Sequence, residues 1–161
     1  MTKRRTLEPA QWELWHTWMQ AQRLLAREVD RGLQQEHGIS KAEFSVLVTL
    51  HQAGGQLRVG ELAESLAWDK GRVAHQLTRM ESRELVERME TGSSGRRSGI
   101  ALTAKGRGAA QSAILSHEEN IHRYFFELLT SEQAAVIREW SDAVIERIEA
   151  TEGAPAEPAG G

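Results

Sequence analysis

The sequence predicts a mainly α-helical fold with one small β-hairpin, and three observations lead there. Residues 10–154 contain no proline: Pro9 opens the ordered sequence, and Pro155 and Pro158 lie near its end. Proline breaks helix interiors, so such a gap suits long helices. Apolar residues recur at three- and four-residue steps through most of the chain, the spacing of a single helix face. One stretch instead alternates apolar and polar residues and returns after a run of glycine and serine, as a hairpin does.

The elements follow in order. Glu8 to Glu36 reads as one long helix, with Trp15, Gln22, Ala26, Val29 and Leu33 on a stripe and Trp12, Trp18 and Met19 beside it. His37–Gly38 ends it, because glycine tolerates the left-handed stop. Ser40 caps a second helix, Glu43 completes a capping box, and Phe44, Leu47 and Leu50 carry it to Gly54–Gly55. Val59 to Leu66 forms a short third helix burying Leu62, Ala63 and Leu66. Asp69 is a good N-cap for the fourth, from Lys70 to about Arg83, with Val73, Leu77 and Met80 on its inner face. Leu85 to Glu90 is the first hairpin strand, Thr91–Gly92–Ser93–Ser94–Gly95 the turn, and Gly99–Ile100–Ala101–Leu102 the return. Thr103 caps a fifth helix reaching about Leu128. Ser131 opens a sixth, with Val136, Trp140, Val144 and Ile148 spaced at four residues. Thr151 to Gly161 has nothing to bury and is expected to be disordered.

The 161 residues carry a net charge of −3 and suit one domain with an appendage. With no cysteine, a disulfide framework, a thiolate zinc site, a cysteine nucleophile and a thiol redox switch are all excluded. No apolar run approaches the ~20 residues of a bilayer span, so no membrane partner is expected. The basic start, Met1–Lys3–Arg4–Arg5, lacks the apolar stretch of a signal peptide. Residues 58–107 hold ten Lys or Arg against seven Asp or Glu, while the remainder holds ten against sixteen. A basic centre between acidic flanks points to a polyanion met by one region only.

Helix, short turn, helix and hairpin from Val59 to Leu102 form a winged helix-turn-helix, an arrangement that reads double-stranded DNA. The outward positions of its second helix are Lys70, Arg72, His75, Gln76 and Arg79. Arginine and glutamine match guanine and adenine edges, and lysine supplies a point charge for phosphate. Gly71 lets backbone amides approach a phosphate. The hairpin tip presents Arg96 and Arg97 for a narrow minor groove. Such geometry also occurs in helical proteins that bind no nucleic acid.

Val59–Gly60–Glu61–Leu62–Ala63, followed by Lys70–Gly71–Arg72–Val73–Ala74–His75–Gln76–Leu77–Thr78–Arg79–Met80–Glu81, resembles the winged helix of the MarR family of bacterial transcriptional regulators. Leu85–Val86–Glu87–Arg88 and Leu102–Thr103–Ala104–Lys105–Gly106 continue the match, which spans roughly residues 8 to 150. The resemblance implies a homodimer with intertwined first, fifth and sixth helices, and a repressor released by a small molecule. It also implies a cytoplasmic, nucleoid-associated protein. The family's wing usually carries Asp-x-Arg; here Arg96 stands on the arginine and Ser94 on the aspartate.

Apolar spacing argues for the dimer separately. Ile114, His117, Ile121, Tyr124, Phe125 and Leu128 on the fifth helix and Val136, Ile137, Trp140, Val144 and Ile148 on the sixth exceed what a small winged helix can cover. A two-fold dimer is the commonest outlet, an intramolecular bundle the alternative. The expected organisation is a flexible basic N-terminus at 1–7, helical dimerisation segments at 8–39 and 103–150, the winged helix-turn-helix at 40–102 and the tail at 151–161. Ile121, Tyr124, Phe125, Trp140, Val144 and Ile148 are assigned to the dimer seam.

By the same resemblance, a small aromatic or anionic effector would bind between the dimerisation helices and the DNA-binding domain. Trp12, Trp15, His16 and Trp18, with His51, offer flat apolar walls and imidazoles for it; packing of the dimer core is the plainer role for those tryptophans. A pH response through His16, His51 or His117 is a further alternative. His117 and His122 lie five apart and so do not face together as the HExxH zinc motif requires. No cofactor, metal or catalytic set is expected. A protein–protein adaptor keeping the fold, or a small-molecule enzyme, are the rivals from other classes.

Overall fold

The computed structural model describes residues 6–90 and 99–152. Its elements run α1 (Pro9–His37), α2 (Lys41–Gln52), β1 (Gln56–Arg58), α3 (Val59–Leu66), α4 (Lys70–Ser82), β2 (Val86–Met89), β3 (Gly99–Leu102), α5 (Ala104–Tyr124), a 3-10 turn (Phe126–Leu128) and α6 (Ser131–Glu152). Helices dominate, as the proline gap predicts. The chain divides into two compact units, Met1–Ile121 and His122–Gly161.

In the first unit the helix ends are set by local chemistry. Gly38 (φ 61°) closes α1 in the left-handed conformation, its N–H donating to Gln34 O and Leu33 O. Ser40 Oγ accepts from the Glu43 N–H at 3.2 Å, while Glu43 Oε2 accepts from the Ser40 N–H at 2.9 Å. This is the expected capping box. Thr103 plays two parts at the start of α5: its hydroxyl donates to Glu84 O and accepts from the Gly106 N–H at 2.9 Å.

The sheet has three strands, not the two of a bare hairpin. β3 lies in the middle, antiparallel to β2 through Val86↔Leu102 to Met89↔Gly99, and to β1 through Gln56↔Ala101 to Arg58↔Gly99. β1 escaped the sequence reading because three residues are too few to show alternation. Gly54 (φ 81°) and Gly55 (φ 99°) turn the chain into it, and Gly55 O accepts from the Leu102 N–H at 2.8 Å. β2 also starts one residue later than predicted. Glu84 (φ 59°) takes a left-handed conformation and Leu85 packs into the core before the ladder begins.

The core gathers Val46, Leu47 and Leu50 of α2, Leu62 of α3, Val73, Leu77 and Met80 of α4, and Ile100 and Leu102 of β3, all fully buried. Ala110 and Ala113 of α5 and Leu33 of α1 close it. Leu66, predicted buried, is only partly so. Leu33 is the one buried residue on α1, a helix of 29 residues. Its other residues are exposed or, like Trp18, Met19, Leu25 and Val29, half-buried.

The second unit starts with the last turn of α5. That helix stops at Tyr124, short of the predicted Leu128, and the chain tightens into the 3-10 turn. Phe125 and Phe126 meet edge to face with centroids 5.1 Å apart. Thr130 then caps α6, its Oγ1 accepting from Gln133 N–H at 3.2 Å. α6 extends through Glu152, past the predicted limit at 150. The tail expected beyond it, from Gly153, and the basic start at residues 1–5 lie outside the described residues.

Candidate nucleic-acid interface

The helix-turn-helix is built from a stop and a start in immediate succession. α3 ends at Ala67 (φ 51°), whose left-handed backbone turns the chain, and Trp68 N–H returns to Ala63 O at 3.0 Å. Asp69 starts α4, its Oδ1 accepting from the Arg72 N–H at 2.9 Å. Removing such an N-cap typically costs ~1 kcal/mol. The inner face of α4 is closed by Val73, Leu77 and Met80, each 0 % exposed. A helix anchored along one side presents the other as a rigid surface.

That surface carries Lys70, Gly71, Arg72, Ala74, His75, Thr78 and Arg79, all exposed. The Arg72 guanidinium carbon lies 4.0 Å from the Trp68 ring centroid. A Cβ on Gly71 would press on Asp69 Oδ1 at 3.2 Å, so glycine here leaves room for the N-cap carboxylate. Gln76 departs from the expectation that it points outward. It is 6 % exposed and its Nε2 is buried without a hydrogen-bond partner. Position 76 lies three residues after Val73 and one before Leu77, on the buried side of the stripe. Helical phase outweighs its polar chemistry. Thr78 takes the outward position that the sequence reading left out. Arg96, Arg97 and Ser94, the predicted wing residues, lie outside the described residues.

Two ion pairs hold α4 in place. Arg88 Nε of β2 donates to Glu81 Oε2 at 3.2 Å. Arg83, just past the end of α4, donates from Nη1 to Glu43 Oε1 at 2.5 Å and from Nη2 to Gly38 O at 3.0 Å. Burial pushes the Glu43 carboxyl up, but the Ser40 amide, Arg83 and the Ser40 hydroxyl together outweigh it and hold it below its ordinary value. Arg83 thus joins the end of α4 to the junction of α1 and α2. Nothing in its sequence neighbours marks a partner forty positions away.

Four of the aromatic residues named for an effector lie on α1 and the fifth, His51, on α2. Trp12 and Trp15 are 47 % and 50 % exposed on α1, and Trp12 stacks with His16 at 5.4 Å between centroids. Trp18 and His51 are partly buried. Among the described residues neither Trp15 nor His51 shares a ring contact with the Trp12–His16 pair. A different set meets where α1, α2 and α5 converge. His37 Nε2 pairs with Ser116 Oγ at 2.8 Å, and His117 packs its ring on Phe44 at 4.6 Å. Burial holds the His117 imidazole below its ordinary pKa, against the pull of Asp30 and Glu118, and its Nδ1 is buried without a partner.

Of the residues assigned to a dimer seam, Ile121, Phe125 and Val144 are partly buried, and Tyr124, Trp140 and Ile148 are exposed at 38 %, 49 % and 54 %. No helix of the described residues is long and apolar enough to cross a membrane.

Residues 39–98, from just before α2 to just short of β3, match the family model described as MarR family. Over these residues the chain resembles the MarR-family winged helix. The chain is similar over its length to solved MarR-family structures. AbsC, a MarR family transcriptional regulator from Streptomyces coelicolor, is 26 % identical, with 91 % of this chain and 99 % of that one covered and a TM-score of 0.77. Sco3205, a MarR family transcriptional regulator from the same organism solved in complex with DNA, is 27 % identical, with 98 % and 96 % covered and a TM-score of 0.73. A mutant MarR from E. coli complexed with operator DNA shares the fold at 21 % identity, 82 % and 93 % coverage and a TM-score of 0.67. No curated protein sequence matches the chain.

Proposed function

We propose that this MarR-family chain is a sequence-specific, DNA-binding transcriptional regulator that works as a homodimer. One observation carries the reading: Lys70, Arg72, His75 and Arg79 stand exposed on a helix whose opposite side is locked into the core. In the major groove Arg72 is the base reader, with His75 and Arg79 beside it and Lys70 toward phosphate. Gln76 would join them only by leaving its buried position. The similarity to Sco3205, solved with DNA, supports the reading. Arg96 and Arg97 are assigned to the minor groove and the flanking backbone.

Dimerisation is supported by apolar side chains left uncovered. Leu14 (71 % exposed), Leu115 (67 %) and Val136 (64 %) lie on three long helices, together with Trp12, Trp15 and Ile148. A second copy is the natural cover for such surface. Two recognition helices ~34 Å apart would then address an inverted repeat. We further propose repression relieved by a small aromatic or anionic effector, with the stacked Trp12–His16 pair as a wall and Trp15, Trp18 and His51 as its other candidates.

The test is selection of bound duplex from a random library, with binding measured against salt. An inverted-repeat consensus and an affinity falling steeply with salt are expected. Binding that is absent, or indifferent to salt, would overturn the reading. Small aromatic acids added to the complex should release the DNA if the effector assignment holds.

A further inference from the structure

Trp68 sits at the hinge of the helix-turn-helix, and its position is fixed twice. The bond from its N–H to Ala63 O, beyond the left-handed Ala67, is the closure that pins a residue back against the helix it follows. The side chain then packs, partly buried, against the core cluster. Four residues on, Arg72 lies across the indole, its guanidinium carbon 4.0 Å from the ring centroid. The Arg72 main chain is fixed as well, because Asp69 Oδ1 receives its N–H at 2.9 Å. Two consecutive residues of one turn therefore hold both halves of this arginine.

That arrangement matters because an exposed arginine has much rotamer freedom to lose when it binds a base, up to ~2 kcal/mol. A guanidinium already lying on an indole has lost part of it before DNA arrives. Stacking occupies the flat face of the group and leaves its N–H edge for bidentate bonds. Lys70, His75 and Arg79, also exposed on this face, show no such support among the described residues. We propose that Trp68 is a positioning residue for Arg72: the indole holds the guanidinium ready for a base edge and so tunes the sequence preference of each half-site. The proposal rests on the DNA-binding reading above and assigns a role within it.

The test uses Trp68→Leu, which keeps an apolar side chain but has no aromatic face, and Trp68→Phe, which keeps one. Each is made in the full chain, alone and with Arg72→Ala. The probes are a duplex selected by the wild-type protein from a random library and a scrambled duplex of equal length. Trp68→Leu should weaken binding to the selected duplex roughly two- to thirtyfold per half-site, the range of a cation–π contact. Binding to the scrambled duplex and the salt slope should not move, and Trp68→Phe should lose less. With Arg72→Ala present, Trp68→Leu should add nothing.

Equal losses with and without Arg72, or on both duplexes, would overturn the proposal, since Trp68 would then only support the domain. Tighter binding by Trp68→Leu would overturn it too, showing that the stack holds Arg72 away from DNA. A wild-type protein with no salt-dependent binding to any duplex would defeat the DNA-binding reading itself. Losses independent of Arg72 defeat this inference alone.

Discussion

Replacing Arg83 with alanine should loosen the domain at one identifiable place. The side chain joins α4 to the α1–α2 junction through Glu43 Oε1 at 2.5 Å and Gly38 O at 3.0 Å. Glu43 is 2 % exposed, so the mutation leaves a carboxylate without its cation in a place water reaches poorly. Stranding one member of a buried pair costs ~3–5 kcal/mol. Two features reduce that here: Glu43 keeps the Ser40 amide at 2.9 Å, and the Arg83 side chain is 43 % exposed. The expected loss is about 2 kcal/mol, read as a lower urea midpoint at unchanged slope and equal protein concentration. Its pH dependence is equally specific. The Glu43 carboxyl is held below its ordinary value in the folded state, so its contribution is present above the unfolded pKa and fades as pH falls through the folded one. Wild type and Arg83→Ala should therefore converge as acidification passes below the ordinary range of a glutamate. A loss under about 0.5 kcal/mol, the scatter of surface changes, or a gap unchanged by acid would refute the reasoning.

The remaining predictions test separate features. Arg72→Ala should weaken binding to the selected operator by ~1–3 kcal/mol, the worth of a good base contact, and a gel shift showing no change would remove it from the interface. A Cβ on Gly106 would come within 1.9 Å of Leu85 O, backbone against backbone, so Gly106→Ala should cost roughly 3 kcal/mol by thermal unfolding. Glu84 holds φ 59° without being glycine, and its partner Lys105 is an exposed one at 3.4 Å; Glu84→Gly should raise stability by up to ~1 kcal/mol. His117 is half-buried and biased toward neutrality, so its contribution is full above the unfolded imidazole pKa and lost as pH drops below it. His117→Leu should flatten the decline in urea midpoint between about pH 7 and pH 5.

What could be read in advance was whatever depends on neighbours in sequence. Ser40 with Glu43, Asp69 before Lys70, Gly38 after His37 and Thr103 before Ala104 are local hydrogen-bonding decisions, and helix starts and stops follow from them. The inner face of α4 followed from spacing alone. Long-range partnerships left no such trace. Arg83 and Glu43 are forty positions apart, and β1 becomes a strand only because Gly99–Leu102 offers it an edge. Gln76 is the opposite case: its polar chemistry suggests an outward position, but the helical phase set by Val73 and Leu77 buries it. The Trp68–Arg72 contact is intermediate: four residues on a continuous helix would face together, but the chain bends at Asp69, and only the fixed turn brings the guanidinium over the indole.

The ties found in the first unit also constrain how any signal could travel. α1 meets the winged helix near its own C-terminal end, where Leu33 enters the core, Gly32 abuts Asn120 and His37 pairs with Ser116. A Cβ at Gly32 would stand 2.6 Å from Asn120 Nδ2, so the Asn120 amide lies directly against α1 there. From that junction the path to α4 is short, through Gly38 and Glu43 to Arg83. An effector acting on α1 therefore has to move α4 as part of a rigid set or break that link. Allosteric coupling between sites amounts to ~1–3 kcal/mol, the same size as the loss expected on cutting Arg83. A mutant lacking that arginine should consequently keep its DNA affinity in low salt yet lose most of any ligand's effect on it. Full ligand response in Arg83→Ala would show that the signal reaches α4 by another route.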